Sequence, residues 1–443
     1  MRPWNPGDIS VVVIITLYLI SCSSTDYVFI SKDSNLQWTL PDVSYPDPSF
    51  IKNIVPTMDI ISSQGFPVER HFIQTEDGYI LALHRIPSQG VPVLLMHGFA
   101  GASDMWVFRN DTTTDLPFVL SKCGFDVWLG NVRGNVYSRH HATLTPDQME
   151  FWKYSLEEYG SYDLPAMIEL IRHKTSYDQV IYIGYSIGGM LPFIMADTRP
   201  EYTRFIRLNI LMAPFVFGPG DKRAQFMKTL KPLIDFRASR KIRARRAEDM
   251  ELVSRTNTSI ATVYNLCGEQ SMTYSLCKGV LQKFIGYDPS RNLNRNLARI
   301  MSYTRGGTSV PAAYQIWHMY KKNRPLRFDA LPPGRDSKYL RYLKKDMGET
   351  PKGGQAPGRG DVYDVTKMNV PTIIWYSMND RLVDQEGIKK LASLAPHIIK
   401  LNLISYKPFN HYDYWIHEDI NTHVTYDLMD QLNAFLKPNS VPM

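Results

Sequence analysis

Residues 178–193 of the 443-residue chain read DQVIYIGYSIGGMLPF, and this stretch decides the fold. Residues 180–183 are hydrophobic throughout, as in a buried strand, and apolar residues recur at helical spacing after the last glycine. Between these two segments, Gly184 and Gly188 each lie two positions from Ser186. The glycines could form a tight turn that the serine merely fills, or the turn could present the serine as a nucleophile. The neighbouring segments must decide between these interpretations.

Further hydrophobic runs lie on both sides of this stretch. Between residues 91 and 214 they alternate with segments of helical periodicity. Runs that are hydrophobic throughout are typical of parallel strands buried on both faces. The pattern therefore predicts an α/β fold with a mostly parallel central sheet and helices on both faces. The predicted strands cover residues 93–96, 125–129, 180–183, 208–212, 371–376 and 399–405.

The segment between the fourth and fifth predicted strands has a different pattern. Residues 216–330 read as helical, without a clear strand, and predict a cap inserted between core residues 25–215 and 363–443. Residues 331–362 are rich in glycine, proline and lysine and predict an exposed loop. Within the cap, residues 222–246 contain ten Lys or Arg and one Asp. This basic stretch either docks on an anionic surface or forms a solvated helix face, and the sequence does not separate the two.

The N-terminus has the features of a targeting segment. Residues 9–24 carry no charged side chain and end in small residues around Cys22. The apolar part is short for a membrane span, so residues 1–24 are predicted to be a secretory signal peptide, with an uncleaved anchor as the alternative. After cleavage no transmembrane span is expected. The sequons at Asn110 and Asn257 are predicted glycosylation sites, which fits a secreted chain.

Composition is typical of a globular protein, with 44% hydrophobic and 21% charged residues. A formal net charge of +7 is too small at this length to argue for nucleic-acid binding. Cys123 lies just before a predicted strand and is expected to be a buried thiol. Cys267 and Cys277 are close enough in sequence to pair in an oxidising compartment. The sequence does not indicate an oligomeric state.

The segment from Gly184 to Gly188 fits the G-x-S-x-G pattern of a nucleophile elbow. In such an elbow the serine occupies strained backbone at a sharp turn from strand to helix, which exposes its hydroxyl above the sheet. Small residues two positions before and after it let the strand and the helix approach closely. The start of the helix then points backbone amides at the reaction centre. Ser186 is therefore the candidate nucleophile.

A serine nucleophile needs a general base, and the base needs an acid that orients it. In α/β-hydrolases, which use this elbow, the order along the chain is Ser, Asp or Glu, then His. Asp380 follows the predicted strand at residues 371–376 and is the candidate acid. Asp384 is the alternative acid, but it also reads as the N-cap of a following helix.

The candidate base is His411, which follows the last predicted strand, at residues 399–405. His417 and His423 lie further along the chain on a predicted helix. For these two the favoured interpretation is an exposed helix residue.

Acyl transfer also needs amides aimed at the developing oxyanion. The backbone N–H groups of Phe99, after an early strand, and of Ile187, after the nucleophile, are predicted to supply them. His97 could be mistaken for a catalytic base. It is interpreted as a residue that shapes the loop beside Gly98.

The sequence FDVWLGNVRGN at residues 125–135 is the most specific sign of a known family. Together with other segments, it resembles acid lipases of the α/β-hydrolase superfamily, the group that contains gastric and lysosomal acid lipases and many insect lipases. The resemblance covers nearly all of the mature chain. The other matching segments are residues 64–69, 75–81, 94–98, 138–140, 162–166, 306–309 and 368–371.

This resemblance implies an α/β-hydrolase fold with a helical lid. It also implies hydrolysis of neutral lipid esters, triacylglycerol or sterol esters, at a lipid–water interface through an acyl-serine. Ser186 would be the nucleophile, Asp380 the acid and His411 the base, and a disulfide between Cys267 and Cys277 is supported. Such a mechanism needs neither a metal nor an organic cofactor. The resemblance fits a secreted or a lysosomal protein.

The chain departs from the family at several positions. The family elbow is usually Gly-His-Ser-Gln-Gly, whereas this chain has Tyr185 and Ile187 around the serine. The donor at Ile187 is a backbone amide and survives the change, but substrate preference and pH optimum are left open. A third cap cysteine of the family corresponds to Ile285 here. Two other interpretations remain: an acyltransferase that uses the same triad, and an inactive lipid-binding carrier.

Overall fold

The computed structural model describes residues 54–219, 250–287, 291–331 and 360–437. Three regions discussed above lie outside these ranges. They are the predicted signal peptide, the basic stretch at residues 222–246, and residues 332–359 of the predicted loop.

The hydrophobic runs of the core form a nine-stranded, mostly parallel sheet, which confirms the predicted fold class. The strands are, in chain order, β1 (Glu69–Gln74), β2 (Tyr79–Ile86), β3 (Pro92–Met96), β4 (Asp126–Gly130), β5 (His140–His141), β6 (Val180–Tyr185), β7 (Ile206–Met212), β8 (Glu251–Leu252), β9 (Thr308–Ser309), β10 (Thr372–Tyr376) and β11 (Ile398–Leu403). The sheet order is β1-β2-β4-β3-β6-β7-β10-β11, with β5 paired to β2. Strand β2 is antiparallel to its neighbours, and the pairs from β4 through β11 are parallel.

The centre of the sheet positions the candidate site. Every residue of β3, β4, β6 and β10 is buried, as expected for parallel strands covered on both faces. Because β3, β6 and β10 are parallel members of one sheet, their carboxyl ends lie at the same edge. The turns that follow them therefore meet at this edge, where ligands of open α/β sheets bind.

Helices connect the strands and build the predicted cap region. They are α1 (Thr57–Ser63), α2 (Leu116–Lys122), α3 (Leu156–Glu158), α4 (Leu164–Lys174), α5 (Leu191–Thr198), α6 (Asn257–Cys267), α7 (Tyr274–Ile285), α8 (Arg291–Tyr303), α9 (Val310–Lys322), α10 (Gln385–Leu394), α11 (Asp413–Ile416) and α12 (Tyr426–Leu436). None of the helices in the described ranges is long and apolar enough to cross a bilayer.

The described part of the predicted cap contains α6 to α9. It is not free of strands, because β8 pairs with β9 in a short antiparallel ladder. Each of these strands has only two residues, too few to give a period-two pattern in the sequence. Cys267, the last residue of α6, forms a disulfide with Cys277 in α7, so the predicted pairing is present.

The prediction for Cys123 was wrong. Its thiol is free and exposed. Cys123 is the C-cap that follows α2, and the chain then turns at Gly124, whose φ is 89°. Burial begins only at Phe125, at the start of the hydrophobic run.

Candidate active site

Ser186 lies where β6 turns into a short 3-10 helix, Ser186–Gly189. Its φ is +56°, a left-handed conformation that a serine adopts only under strain. The side chain is 7% exposed, at the edge of the sheet where the central turns meet. The structure thus has the sharp strand-to-helix turn that the sequence pattern predicted.

Two glycines permit this turn because backbone atoms approach them closely. A Cβ added to Gly188 would lie 2.5 Å from the carbonyl oxygen of Met96, at the end of β3. A Cβ added to Gly184 would lie 2.5 Å from the carbonyl oxygen of Gly188. Any side chain at either position would separate the serine turn from its strand or from the loop after β3.

His411 and Asp380 lie beside this serine, although 225 residues separate Ser186 from His411 in the chain. The Nε2 atom of His411 is 2.9 Å from the Ser186 Oγ, and its Nδ1 atom is 2.7 Å from the Asp380 Oδ2. Both side chains are almost completely buried, His411 at 2% exposure and Asp380 at 0%. A hydroxyl bonded to an imidazole that a carboxylate orients is the geometry of nucleophilic acyl transfer.

The two aspartates after β10 have different environments. Asp380 accepts backbone hydrogen bonds from Leu382 at 2.8 Å and Val383 at 2.9 Å on Oδ1, which leaves Oδ2 facing His411. Asp384 instead caps α10, because its Oδ1 accepts a 2.9 Å hydrogen bond from the Gly387 amide. The structure therefore brings Asp380, and not Asp384, to the histidine.

The predicted oxyanion donors lie on two loops that touch. Among the described residues, neither the Phe99 nor the Ile187 amide has a hydrogen-bond acceptor. A Cβ added to Gly98 would lie 3.2 Å from the Ser186 Cβ, so the loop that carries Phe99 packs directly on the serine. The Gly306 amide, in the predicted cap region, donates a 2.7 Å hydrogen bond to the Ala100 carbonyl and holds the far side of this loop.

His97 is buried behind the same loop and does not reach the serine. Its Nδ1 atom is 2.8 Å from the Gly98 carbonyl oxygen, so Nδ1 carries the proton and donates it. Its Nε2 atom then accepts from the Asn135 side-chain amide at 3.1 Å. These contacts fit the predicted loop-shaping role.

The two later histidines differ from their predicted environment. His417 is only 4% exposed and follows the end of α11, so the expectation of an exposed helix residue was wrong. His423 lies on a helical turn and is partly buried, with its ring 4.9 Å from that of Tyr406. Both rings pack in an aromatic cluster with Phe409 rather than pointing toward solvent. The chain folds back after His411, which sequence periodicity did not show.

The two sequon asparagines differ in their exposure to solvent. Asn110 is exposed, in a turn with φ of +58°. Asn257 is half-buried at the first position of α6. Glycosylation at either site stays a prediction.

Two models of known protein families match parts of the chain. A model described as the alpha/beta hydrolase fold matches residues 91–226. A second model, described as a partial alpha/beta-hydrolase lipase region, matches residues 57–110. The first range includes the serine turn, and the second includes the loop that carries Phe99.

The known proteins that match most of the chain include three lipases. Lipase member K of Mus musculus is 31% identical and covers 86% of this chain and 91% of its own length. Lipase member M of Homo sapiens is 33% identical, over 80% of this chain and 79% of its own. The lysosomal acid lipase/cholesteryl ester hydrolase of Macaca fascicularis is 32% identical, over 77% and 82%. The chain belongs to the acid lipase family. It is a carboxylic ester hydrolase with the α/β-hydrolase fold.

Sequence reasoning missed four hydrogen bonds around the histidine loop of the lipase. The His411 amide donates a 3.0 Å hydrogen bond to the Ile285 carbonyl, and the His411 carbonyl accepts one at 2.8 Å from the Tyr185 hydroxyl. The Asn379 side-chain amide donates to the carbonyls of Tyr287 and Pro408, each at 2.6 Å. In the sequence, Tyr185 and Ile285 stood out as departures from the residues usual in the family, but their contacts did not.

Proposed function

We propose that this lipase hydrolyses the carboxylic ester bonds of neutral lipids, triacylglycerol or sterol esters, through an acyl-serine on Ser186. The observation that carries the proposal is the continuous hydrogen-bonded chain from the Ser186 Oγ through the His411 ring to the Asp380 carboxylate. All three side chains lie at the carboxyl edge of one parallel sheet, where a bound ester can be reached.

In the proposed first step, the Ser186 Oγ attacks the ester carbonyl carbon while His411 Nε2 accepts the hydroxyl proton. The carbonyl oxygen becomes an oxyanion, which the Phe99 and Ile187 amides stabilise. When the tetrahedral intermediate collapses, the ester C–O bond breaks and His411 gives its proton to the leaving alcohol. A water molecule, deprotonated by the same imidazole, then releases the fatty acid and restores Ser186.

Asp380 has a fixed role in this scheme. Its Oδ2 accepts the Nδ1–H of His411 and so leaves Nε2 free to act as a base. When the imidazole becomes a cation, the carboxylate stabilises the positive charge. Two backbone amides on Oδ1 keep the carboxylate in place during both changes.

The neutral-lipid substrate is supported by the relatives. Two of them are named lipases, and a third is named a lysosomal acid lipase/cholesteryl ester hydrolase. An ester of this kind must leave its lipid–water interface to reach a buried serine. We assign residues 216–330 to a cap that covers the site and admits the acyl chain.

We also propose that the lipase is secreted or delivered to the lysosome. The signal-like residues 1–24 motivate this location. A disulfide between Cys267 and Cys277 agrees with it, since such bonds persist in oxidising compartments.

The test is fatty-acid release from emulsified triacylglycerol and from a sterol ester between pH 4 and pH 9. The wild-type lipase and its Ser186→Ala variant are compared after both are shown to be folded. We expect release by the wild type and only background from the variant. An equal rate for the two proteins would contradict an acyl-serine mechanism.

The same assay separates the two other interpretations. An acyltransferase would consume the ester and transfer the acyl group to an added alcohol in preference to water, so its main product would be a new ester. An inactive carrier would bind the lipid but release no acid from triacylglycerol, sterol ester or a soluble short ester.

A further inference from the structure

The residue before the serine makes a contact that the proposed mechanism has not used. The Tyr185 hydroxyl donates a 2.8 Å hydrogen bond to the backbone carbonyl of His411, across 226 positions of the chain. Tyr185 is 4% exposed, so water does not compete for this bond. Burial also raises the pKa of the Tyr185 hydroxyl well above its usual range, so the hydroxyl keeps its proton.

This bond completes a closed ring of contacts around the catalytic pair. One side of the ring is the bond from the Ser186 Oγ to the His411 Nε2, at 2.9 Å. The other side is the bond from the Tyr185 hydroxyl to the His411 carbonyl. The ring closes through the peptide bond that joins Tyr185 to Ser186, which is rigid. The end of strand β6 therefore carries the serine and also fixes its distance from the His411 backbone.

The tyrosine ring is itself held in place. It lies 5.1 Å from the His411 ring, at an interplanar angle of 36°. It also packs against Gly98, where an added Cβ would lie 2.9 Å from a Tyr185 ring carbon. These close contacts leave the buried ring few alternative conformations, which keeps its hydroxyl directed at the His411 carbonyl.

We propose that Tyr185 is a positioning residue for His411. Its hydroxyl fixes the histidine backbone at the distance where Nε2 accepts the proton of Ser186. The inference rests on the proposed function, because it assigns Tyr185 to the same site. Tyr185 does not touch the reacting atoms, so it acts on the rate through His411 and not on substrate binding.

The test compares Tyr185→Phe with a matched variant, Tyr414→Phe. Tyr414 is also buried, its ring lies 6.0 Å from that of Tyr185, and its hydroxyl has no hydrogen-bond partner among the described residues. Each substitution removes one buried hydroxyl and keeps the ring. A soluble short-chain ester serves as substrate, and a phosphonate that labels the active serine counts the competent sites in each preparation.

We expect Tyr185→Phe to lower kcat per titrated site by roughly three- to tenfold, the range for losing one neutral hydrogen bond, with KM unchanged. Tyr414→Phe is expected to match the wild type. Counting sites excludes misfolded protein, because a purely structural defect lowers the number of sites and leaves kcat per site as it was.

Each outcome decides the inference. Wild-type kcat per site in Tyr185→Phe overturns it, and so does an equal loss in Tyr414→Phe. A loss seen only as fewer labelled sites, or only in KM, overturns it as well. The Ser186→Ala variant keeps the two proposals distinct, since activity or labelling that survives there refutes the acyl-serine mechanism whatever Tyr185 does.

Discussion

The backbone amide of His411 donates its hydrogen bond to the carbonyl of Ile285, the last residue of α7, at 3.0 Å. His411 belongs to the core and Ile285 to the proposed cap. The next residue, Gly286, packs so closely that an added Cβ would lie 2.1 Å from the Asn379 carbonyl oxygen. The end of α7 and the loops that carry the acid and the base therefore form one unit. A cap that opened by moving the end of α7 would also move the histidine.

Asn379 should prove essential to this unit. Its side-chain amide donates to Tyr287 on the cap side and to Pro408 before the histidine, at 2.6 Å each. Asn379→Ala removes both bonds, and we expect kcat to fall by roughly tenfold, the effect of about 1 kcal/mol or slightly more on the competent geometry. Asn402→Ala is the control. Asn402 lies on the edge strand β11 and its side chain hydrogen-bonds to that of Gln431, so this variant should leave kcat unchanged. Equal kcat values for the two variants would contradict a role in holding the site.

Substitution of Asp380 should lower kcat, whereas substitution of Asp384 should lower the free energy of unfolding. Asp380→Asn keeps the size of the side chain but favours the wrong histidine tautomer, and we expect kcat to fall by roughly a thousandfold or more. Asp384→Ala removes the cap of α10 and should cost about 1 kcal/mol of unfolding free energy, with kcat little changed. Urea unfolding and steady-state kinetics on both variants check the prediction. A larger loss of kcat in Asp384→Ala than in Asp380→Asn would mean that the acid has been wrongly assigned.

Alanine in place of Gly188 should reduce activity, whereas alanine in place of Gly279 should increase stability. In Gly188→Ala, the new Cβ would press on the Met96 and His97 carbonyl oxygens, which belong to the backbone and cannot turn aside. We expect the serine turn to be displaced and activity to fall by at least about a hundredfold, since small misplacements near the chemistry are costly. In Gly279→Ala, within α7, nothing lies within 4 Å of the new methyl group. That variant should keep its activity and gain about 0.5–1 kcal/mol of unfolding free energy, which thermal unfolding measures.

The sequence predicted the centre of the fold well because its strands are buried on both faces. The predicted run at residues 180–183 lies within β6, and the run at residues 93–96 lies within β3. Strands β1 and β2 were not predicted. Strand β1 is only partly buried at the sheet edge, and its residues ERHFIQ are mostly polar. Partial burial and charged side chains leave β1 without a continuous hydrophobic run. Strand β2 does contain such a run, at residues 79–83, but it precedes the segment in which hydrophobic runs alternate with helical periodicity.

The three triad residues were predictable because their positions follow from the order of strands along the chain. Ser186 directly follows β6, Asp380 lies in the loop after β10 and His411 in the loop after β11, so chain order alone brings them to one edge. The contacts of Tyr185 and Asn379 depend instead on which loops meet in three dimensions. A hydroxyl that reaches a backbone carbonyl 226 residues away leaves no local pattern. A tyrosine in place of the usual histidine marked that position as unusual but did not show its partner.

Burial of the neutral His97 should make the folded state of the lipase less stable as the pH falls. Burial lowers its pKa to about 4, from an ordinary histidine value of 6.5. A proton on Nε2 would also place two donors face to face, because Asn135 already donates there. The nearby Asp104 carboxylate acts in the opposite direction but does not outweigh burial. His84, buried as well, has its pKa lowered to about 3 for the same reason.

The folded state therefore holds His97 neutral, while the unfolded chain takes up the proton first as the pH falls. The stability is fully present above about pH 6.5, and His97 alone should remove about 3 kcal/mol as the pH falls toward 4. His97→Asn retains a donor for the Gly98 carbonyl but cannot titrate, so its unfolding free energy should fall less steeply over this range, with His84 still contributing. Urea unfolding between pH 7 and pH 4.5 measures both slopes. A His97→Asn slope equal to that of the wild type would refute the assignment.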